Sequence, residues 1–305
     1  FITGSVQVGE RAVFVGGVLV PDKNLMTYLT ISHGGTTVTF GEISDNVNQN
    51  SLGSVTNGVN GRGITTTEPT SPNKKQLEFI TISTPGNATD FGQLSRDKLN
   101  DGASNGTNDR GIFNGAAHPS VVAYEYVTIS TLSNAAHFGS SFQAGAVASM
   151  VSNGTNGRAL QNAGEAASGV DRKGVEFLTI HTLSNAIFFA DMTVANVRRG
   201  ALSNDTNNRA LFIGGETVST IDYFDISTIA NASDFGDLAG TNKQPSCVSN
   251  GTNDRGVVGG VGRDNFRSIS PAAIEFVTIS TPGNAIVYGE NLNRGSLQPM
   301  SNGAK

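Results

Sequence analysis

The chain has 305 residues, of which 37% are hydrophobic, 15% are charged and 38 are glycine. This composition excludes an intrinsically disordered chain, which would carry more charge and fewer aromatic residues. The net charge of −5 argues against a nucleic-acid partner or an anionic membrane, because both require a basic face. A single cysteine, Cys247, leaves no intrachain disulfide, and no apolar run reaches the roughly 18 residues of a membrane span.

The first predicted element is the strand at Arg11–Gly17, and the next two strands carry Tyr28 and Phe40. The same order then recurs five times along the chain. In every copy a second aromatic follows the first by twelve residues, and an arginine opens the preceding strand. The first aromatics are Tyr28, Phe79, Tyr126, Phe177, Tyr223 and Phe276; the second are Phe40, Phe91, Phe138, Phe189, Phe235 and Tyr288; the arginines are Arg11, Arg62, Arg110, Arg158, Arg209 and Arg255. A repeat of about fifty residues, rich in short strands and glycine, is typical of a β-propeller.

Each repeat contains four predicted strands, as the copy around Phe177 illustrates. Its strands begin near Ser149, Arg158, Val175 and Asn185, and an Asn-Gly-Thr-Asn-Gly turn joins the first two. Such turns favour tight hairpins because they allow positive φ angles. The prediction for residues 1–305 is therefore a single all-β domain, a six-bladed β-propeller with four-stranded antiparallel blades.

The two ends of the chain predict how the ring closes. The chain begins with the second strand of a repeat, whereas its last residues, Pro299–Lys305, match a first strand and its turn. We therefore expect one blade to combine a C-terminal inner strand with three N-terminal strands. Such closure removes exposed sheet edges, which would otherwise promote aggregation.

These features resemble the kelch propeller family. In that family a hydrophobic strand ends in Gly-Gly, as at Gly16–Gly17, and aromatic residues follow in the third and fourth strands. The resemblance covers about Arg11 to Gly303, but Phe or Tyr replaces the usual Trp of the fourth strand, and the chain has no Trp. Two segments, Thr81–Leu94 and Ile226–Leu238, are similar to the kelch-like repeats of phage structural and tail-fibre proteins.

The resemblance implies a non-enzymatic structural or host-recognition module of a phage tail fibre or another virion appendage. Its expected location is the virion surface or the extracellular space. Its expected partners are other virion or fibre proteins, or a glycan or protein of the host surface, without membrane insertion, and an oligomer is compatible with that role. The alternatives are a secreted or cell-surface kelch-type binding protein and, less favoured, a glycan-cleaving propeller with acidic side chains about 5–10 Å apart.

The two faces of the predicted ring differ in sequence. The turns after strands one and three share one face and are nearly identical between repeats, whereas the links after strands two and four share the other face and vary. A residue that occurs in every blade is explained by packing, so we expect the ligand site on the variable face. The candidate ligand-binding residues of its irregular loops are Lys74, Lys75, His118, Asp171, Arg172, Lys173, Arg263, Asp264, Phe266 and Arg267. Charges around an aromatic suit a glycan or a protein epitope; the alternative is that they are solvated loop charges.

The sequence predicts no catalytic residue, no metal site and no cofactor. An acid precedes the third-strand aromatic in five repeats: Glu78, Glu125, Glu176, Asp222 and Glu275. A cation needs oxygens that converge at roughly 2.3–2.6 Å, and propeller symmetry separates these groups, so we expect solvated caps instead. The four histidines lack the spacing of a metal site, and Cys247 falls in an inner strand, where a small buried thiol is expected.

Overall fold

The computed structural model describes residues 11–16, 24–44, 53–56, 61–67, 76–96, 99–104, 109–115, 123–143, 145, 148–152, 157–166, 169–203, 208–241, 245–249, 254–261, 272–291 and 298–301. Within these residues the structure forms 24 strands in six four-stranded antiparallel sheets. The predicted six-bladed β-propeller is thereby confirmed. The Asn-Gly turns of the sequence, short strands and alternating hydrophobic residues together favour this all-β architecture.

The strands fall into four concentric sets. The innermost strands are β4 (Ser54–Thr56), β8 (Leu99–Ser104), β12 (Met150–Ser152), β16 (Gly200–Ser203), β20 (Ser246–Ser249) and β24 (Gln298–Ser301). The second strands are β1 (Arg11–Val15), β5 (Arg62–Thr67), β9 (Arg110–Gly115), β13 (Arg158–Asn162), β17 (Arg209–Ile213) and β21 (Arg255–Val261). The third strands are β2 (Leu25–Thr30), β6 (Gln76–Thr81), β10 (Ala123–Thr128), β14 (Gly174–Thr179), β18 (Thr220–Asp225) and β22 (Ala272–Thr278). The outer strands are β3 (Val38–Glu42), β7 (Thr89–Gln93), β11 (Ala136–Ser140), β15 (Ile187–Asp191), β19 (Ser233–Asp237) and β23 (Ile286–Asn291).

Blade 1 closes the ring in the predicted way. It consists of β24 followed by β1, β2 and β3, so its inner strand comes from the C-terminal end and the other three from the N-terminal end. Ala12 lies opposite Ser301, and Val13 lies opposite Met300. Blades 2 to 6 each contain four consecutive strands, from β4–β7 to β20–β23. Each inner strand contacts the inner strands of both neighbouring blades, β24 touching β20 and β4.

The core lies between the blades, in six apolar clusters with one at each seam. At the closing seam, Phe14 and Ile31 of blade 1 pack with Val257 and Ile274 of blade 6, and all four are fully buried. A seam between blades 2 and 3 likewise joins Val55 and Ile64 to residues of the next blade. The closing seam is therefore packed in the same way as the interior seams.

The six arginines and twelve aromatics lock each blade to the next. In blade 2 the Arg62 guanidinium lies 4.4 Å from the centre of the Phe79 ring, which meets Phe91 edge to face at 6.3 Å between ring centres. The same guanidinium donates a hydrogen bond of 2.9 Å to the carbonyl of Ile129 in blade 3. All six blades repeat both the stacking and the edge-to-face pair. The cycle closes where Arg255 of blade 6 donates to the carbonyl of Ser32 in blade 1 at 2.8 Å. The packing role predicted for these residues is confirmed.

A second set of interblade bonds surrounds the axis. Buried hydroxyls at the ends of the inner strands donate to a carbonyl of the preceding blade's inner strand. Ser203 donates to the Ser152 carbonyl at 2.6 Å, Ser249 donates to Ser203, and Ser301 donates to Ser249 across the closing seam. These bonds satisfy hydroxyls that would otherwise be costly to bury.

Candidate functional site

The structure describes three of the ten candidate ligand residues. Asp171, Arg172 and Lys173 belong to the loop between β13 and β14 of blade 4, on the variable face. The other seven candidates, Lys74, Lys75, His118, Arg263, Asp264, Phe266 and Arg267, lie outside the described residues. The described candidates therefore all lie in blade 4.

The β13–β14 loop continues its hairpin beyond the sheet. The amide of Ala163 donates to the carbonyl of Gly174 at 2.8 Å, and the amide of Arg172 donates to the carbonyl of Gly164 at 3.2 Å. A bridge between Glu165 and Asp171 follows further out. Backbone bonds at both levels hold Arg172 and Lys173 at fixed positions beside the sheet.

A groove lies between this loop and the link that leaves blade 3, and we call it the blade 3/4 groove. Its described lining consists of Phe142 and Gln143 from the link, Arg172, Lys173 and Gly174 from blade 4, and Asp191 from the end of β15. The groove is wide open to solvent and has a volume of about 610 Å³. The lining carries two cations, one carboxylate, one amide and one exposed ring.

Phe142 departs from the repeat. The residue four positions after the fourth-strand aromatic is Ser44 in blade 1 and Ser95 in blade 2. Each serine donates from its backbone amide and its hydroxyl to the acid of the next blade, Glu78 or Glu125. Phe142 occupies this position in blade 3, where its amide still donates to Glu176 at 2.7 Å. Its ring instead faces solvent, with 57% of the residue exposed.

A buried polar network supports the wall that carries Phe142. Glu176, only 2% exposed, also accepts from the Gln143 amide at 3.1 Å, the Gln161 side chain at 3.0 Å and the Tyr124 hydroxyl. Burial raises the pKa of Glu176, against the opposing effect of these donors. Burial likewise raises the pKa of Tyr124, and the nearby Glu176 charge raises it further. The network fixes the backbone of Phe142 and Gln143 before any ligand arrives.

Lys173 of the groove differs from Arg198 and Arg199, the other adjacent pair of basic residues within the described part of the chain. Arg198 lies 3.4 Å from Glu216, and buried Arg199 lies 3.1 Å from buried Asp222. Lys173 instead donates to a neutral acceptor, the carbonyl of Thr193, at 2.9 Å. Among the described residues no carboxylate forms an ion pair with its ammonium group.

Asp171 is not part of the described groove lining. Burial raises the pKa of Asp171, and the negative charges of Glu165 and Glu216 raise it further. Of the three described candidates, the structure therefore brings Arg172 and Lys173 into the groove and leaves Asp171 among other acids. Phe142, Gln143 and Asp191 were not among the predicted site residues. A signal for Phe142 was available, because four of the other five blades hold a small residue, Ser, Thr or Ala, at this position.

The prediction that the five repeated acids are solvated caps is wrong. All five are buried, with at most 2% of each residue exposed. Four of them, Glu78, Glu125, Glu176 and Glu275, accept backbone amides from the link that leaves the preceding blade. Asp222 accepts the Thr193 hydroxyl of the corresponding link. The physical reason is that each link folds over the third strand of the next blade. Backbone amides and hydroxyls of the link, which have no strand partner, then donate to the acid.

The single cysteine is part of the core. Cys247 lies in β20 and is 2% exposed, within the apolar cluster between blades 5 and 6. A search of the described residues finds no group of three or more His, Cys, Asp or Glu side chains that could hold a metal ion. The described part of the chain also contains no helix that is long and apolar enough to cross a membrane.

No protein-family model matches the chain, and no curated protein matches it.

Proposed function

We propose that this propeller is a non-enzymatic recognition module, which presents its variable face to a glycan or protein on a surface. The observation that carries the proposal is Phe142, a large apolar ring exposed at a position that holds Ser, Ser, Thr and Ala in blades 1, 2, 4 and 5 and Leu292 in blade 6. The ring contacts Phe188 on the surface and belongs to none of the apolar clusters between the blades. Phe142 is also held on a preorganised wall, which reduces the entropy lost on binding.

The exposed apolar residues of the described chain concentrate around blade 4. Eleven large hydrophobic residues are exposed in the described part of the chain, and, leaving aside Leu183 in a turn of the repeated face, five of them lie in blade 4 or in the links beside it: Phe142, Val170, Ile187, Phe188 and Val194. Phe142 and Phe188 form a tilted pair with ring centres 6.3 Å apart. Concentrated exposed apolar surface marks interaction sites on folded proteins.

The proposed setting is a phage tail fibre or another virion appendage. The kelch-like pattern of Thr81–Leu94 and Ile226–Leu238 supports this setting, as does a scaffold in which six near-identical blades leave variation to one face. A secreted or cell-surface kelch-type binding protein is the alternative setting. The flanking gene sequence separates the two, since a fibre-attachment segment favours the first and a signal peptide with an anchoring domain favours the second.

A direct test is binding of the purified chain to a panel of bacterial cell envelopes, measured by surface plasmon resonance. We expect saturable binding to some envelopes, and we expect Phe142→Ser to weaken it. The control is Leu132→Ser, which removes an equally exposed residue, 57% exposed, from the turn between β10 and β11 on the opposite face. Absence of binding to every envelope, or equal loss in both variants, contradicts the proposal.

A further inference from the structure

The blade 3/4 groove has a charge and shape that define a ligand class. We propose that it binds a saccharide unit carrying one carboxylate, an acidic sugar of the uronic-acid type. This inference rests on the proposed recognition function and adds the chemistry of the ligand.

The charge of the groove opposes that of the whole chain. The chain has a net charge of −5, yet the described lining of the groove carries two cations, Arg172 and Lys173, and one carboxylate, Asp191. An anionic ligand is therefore favoured at this place. One carboxylate per bound unit matches this lining better than a denser polyanion, because Asp191 would repel additional negative charge.

The donors are suited to a carboxylate. An ammonium group has three N–H donors, and the Lys173 ammonium uses one of them on the Thr193 carbonyl. Arg172 carries a planar guanidinium, which matches the two oxygens of a carboxylate. Burial raises the pKa of Glu176, and the positive charge of Arg172 opposes this effect. The guanidinium therefore lies near Glu176, whose hydrogen bonds hold the backbone of Phe142 and Gln143.

The remaining groups are suited to a sugar ring. The exposed Phe142 ring offers an apolar face for the C–H side of a pyranose. The Gln143 amide can donate and accept, and the Asp191 carboxylate can accept from hydroxyl groups. A largely polar groove of about 610 Å³ fits a ligand of a few rings, whereas acidic peptides are typically bound by clusters of arginine, and the described lining holds one arginine, Arg172.

The experiment is isothermal titration calorimetry of the full chain with three probes. The first is a trisaccharide of galacturonic acid, the second is the same trisaccharide with its carboxyl groups reduced, and the third is a hexapeptide of glutamic acid. We expect the acidic trisaccharide to bind and the reduced one to bind about tenfold more weakly, since hydrogen bonds to a charged group are lost. We expect no binding of the peptide.

Two variants with matched controls locate the binding. Phe142→Ser places the residue of the equivalent positions in blades 1 and 2 and is expected to weaken binding roughly tenfold, while Leu132→Ser leaves it unchanged. Lys173→Gln is expected to weaken binding of the acidic probe about three- to tenfold, but not of the reduced probe. Its control is Arg96→Gln, which removes an exposed arginine from the link that leaves blade 2.

The outcomes separate this inference from the proposed function. Equal affinity for both trisaccharides, tighter binding of the peptide, or no effect of Phe142→Ser overturns the acidic-sugar assignment. If neither trisaccharide binds while envelope binding stays sensitive to Phe142→Ser, the recognition function stands and the sugar class is wrong. If neither the probes nor any envelope bind, both fail.

Discussion

On the repeated face, Arg62, Phe79 and Phe91 have counterparts in every blade. At the groove, no other blade has an aromatic residue at the position of Phe142. On the repeated face, the stacked arginine and aromatic side chains are partly or fully buried against the neighbouring blade. At the groove, Phe142 is exposed although serine is the residue of the equivalent positions in blades 1 and 2. The difference teaches that repetition within one chain marks packing, and that a well-supported departure from the repeat marks a candidate for binding.

We expect the six seams between blades to contribute equally to stability, and removal of β24 is the most severe test of this equivalence. A chain ending before Gln298 loses the fully buried Met300, the Ser301 hydroxyl bond and the strand partner of β1. We expect a loss of about 5 kcal/mol or more, enough to abolish cooperative unfolding. Thermal unfolding followed by circular dichroism measures the effect, with a chain ending at Ser301 as the control. An unchanged unfolding temperature would contradict the closed ring.

Arg209→Ala is expected to have the next largest effect, because it removes a residue of the repeated face. The guanidinium lies 4.4 Å from the centre of the Tyr223 ring and donates to the Ile279 carbonyl of the next blade at 2.8 Å. Together these interactions predict a loss of about 2–4 kcal/mol in the free energy of unfolding. Phe142→Ser should change the same quantity by less than about 0.5 kcal/mol. Urea unfolding measures both, and a larger loss for Phe142→Ser would reverse the comparison.

The hydroxyl bonds around the axis allow a finer test of equivalence. Ser203→Ala removes a bond at an interior seam, and Ser301→Ala removes the corresponding bond at the closing seam. Each variant is expected to lose about 1 kcal/mol of unfolding free energy. Urea unfolding that gives a clearly smaller loss for Ser301→Ala would show a looser closing seam.

The buried acid behind the groove predicts a dependence on pH. Because burial raises the pKa of Glu176 above 4.5, the folded state binds the proton more tightly than the unfolded state. This contribution is therefore fully present below pH 4.5 and is lost as pH rises through the folded pKa. Glu176→Gln removes this titration, so the unfolding free energy of the parent minus that of the variant should fall with rising pH. Urea unfolding at several pH values above 4.5 checks the slope, and a rising difference contradicts it.

The sequence alone could predict the ring, because a fixed spacing of twelve residues between two aromatics survives every insertion. It could also predict the closure, since Arg11–Gly17 and Pro299–Lys305 are complementary pieces of one repeat. The burial of Glu78 and its counterparts could not be predicted in the same way. It depends on the link of the preceding blade folding over the acid, and the trace of this contact in the sequence is a hydroxyl residue at one position of three links, Ser44, Ser95 and Thr193.

The groove was predictable in part. Arg172 and Lys173 stood out because their loop is irregular, but Asp171 beside them could not be separated from them without the side-chain directions. Gln143 and Asp191 carry no sequence signal of binding, because a polar residue in a link or at a strand end is ordinary. Their role depends on the loop and the link approaching each other across a seam, which only the ring geometry determines.

Methyl NMR of the full chain, titrated with an envelope that it binds, tests the central claim most directly. Val170 and Val194 are exposed beside Arg172 and Thr193 on the variable face, whereas Leu132 and Ile229 are exposed on the repeated face. We expect ligand-dependent shifts at Val170 and Val194, and none at Leu132 and Ile229. Shifts confined to Leu132 and Ile229 would contradict the account, because they would place recognition on the face that the blades use for packing.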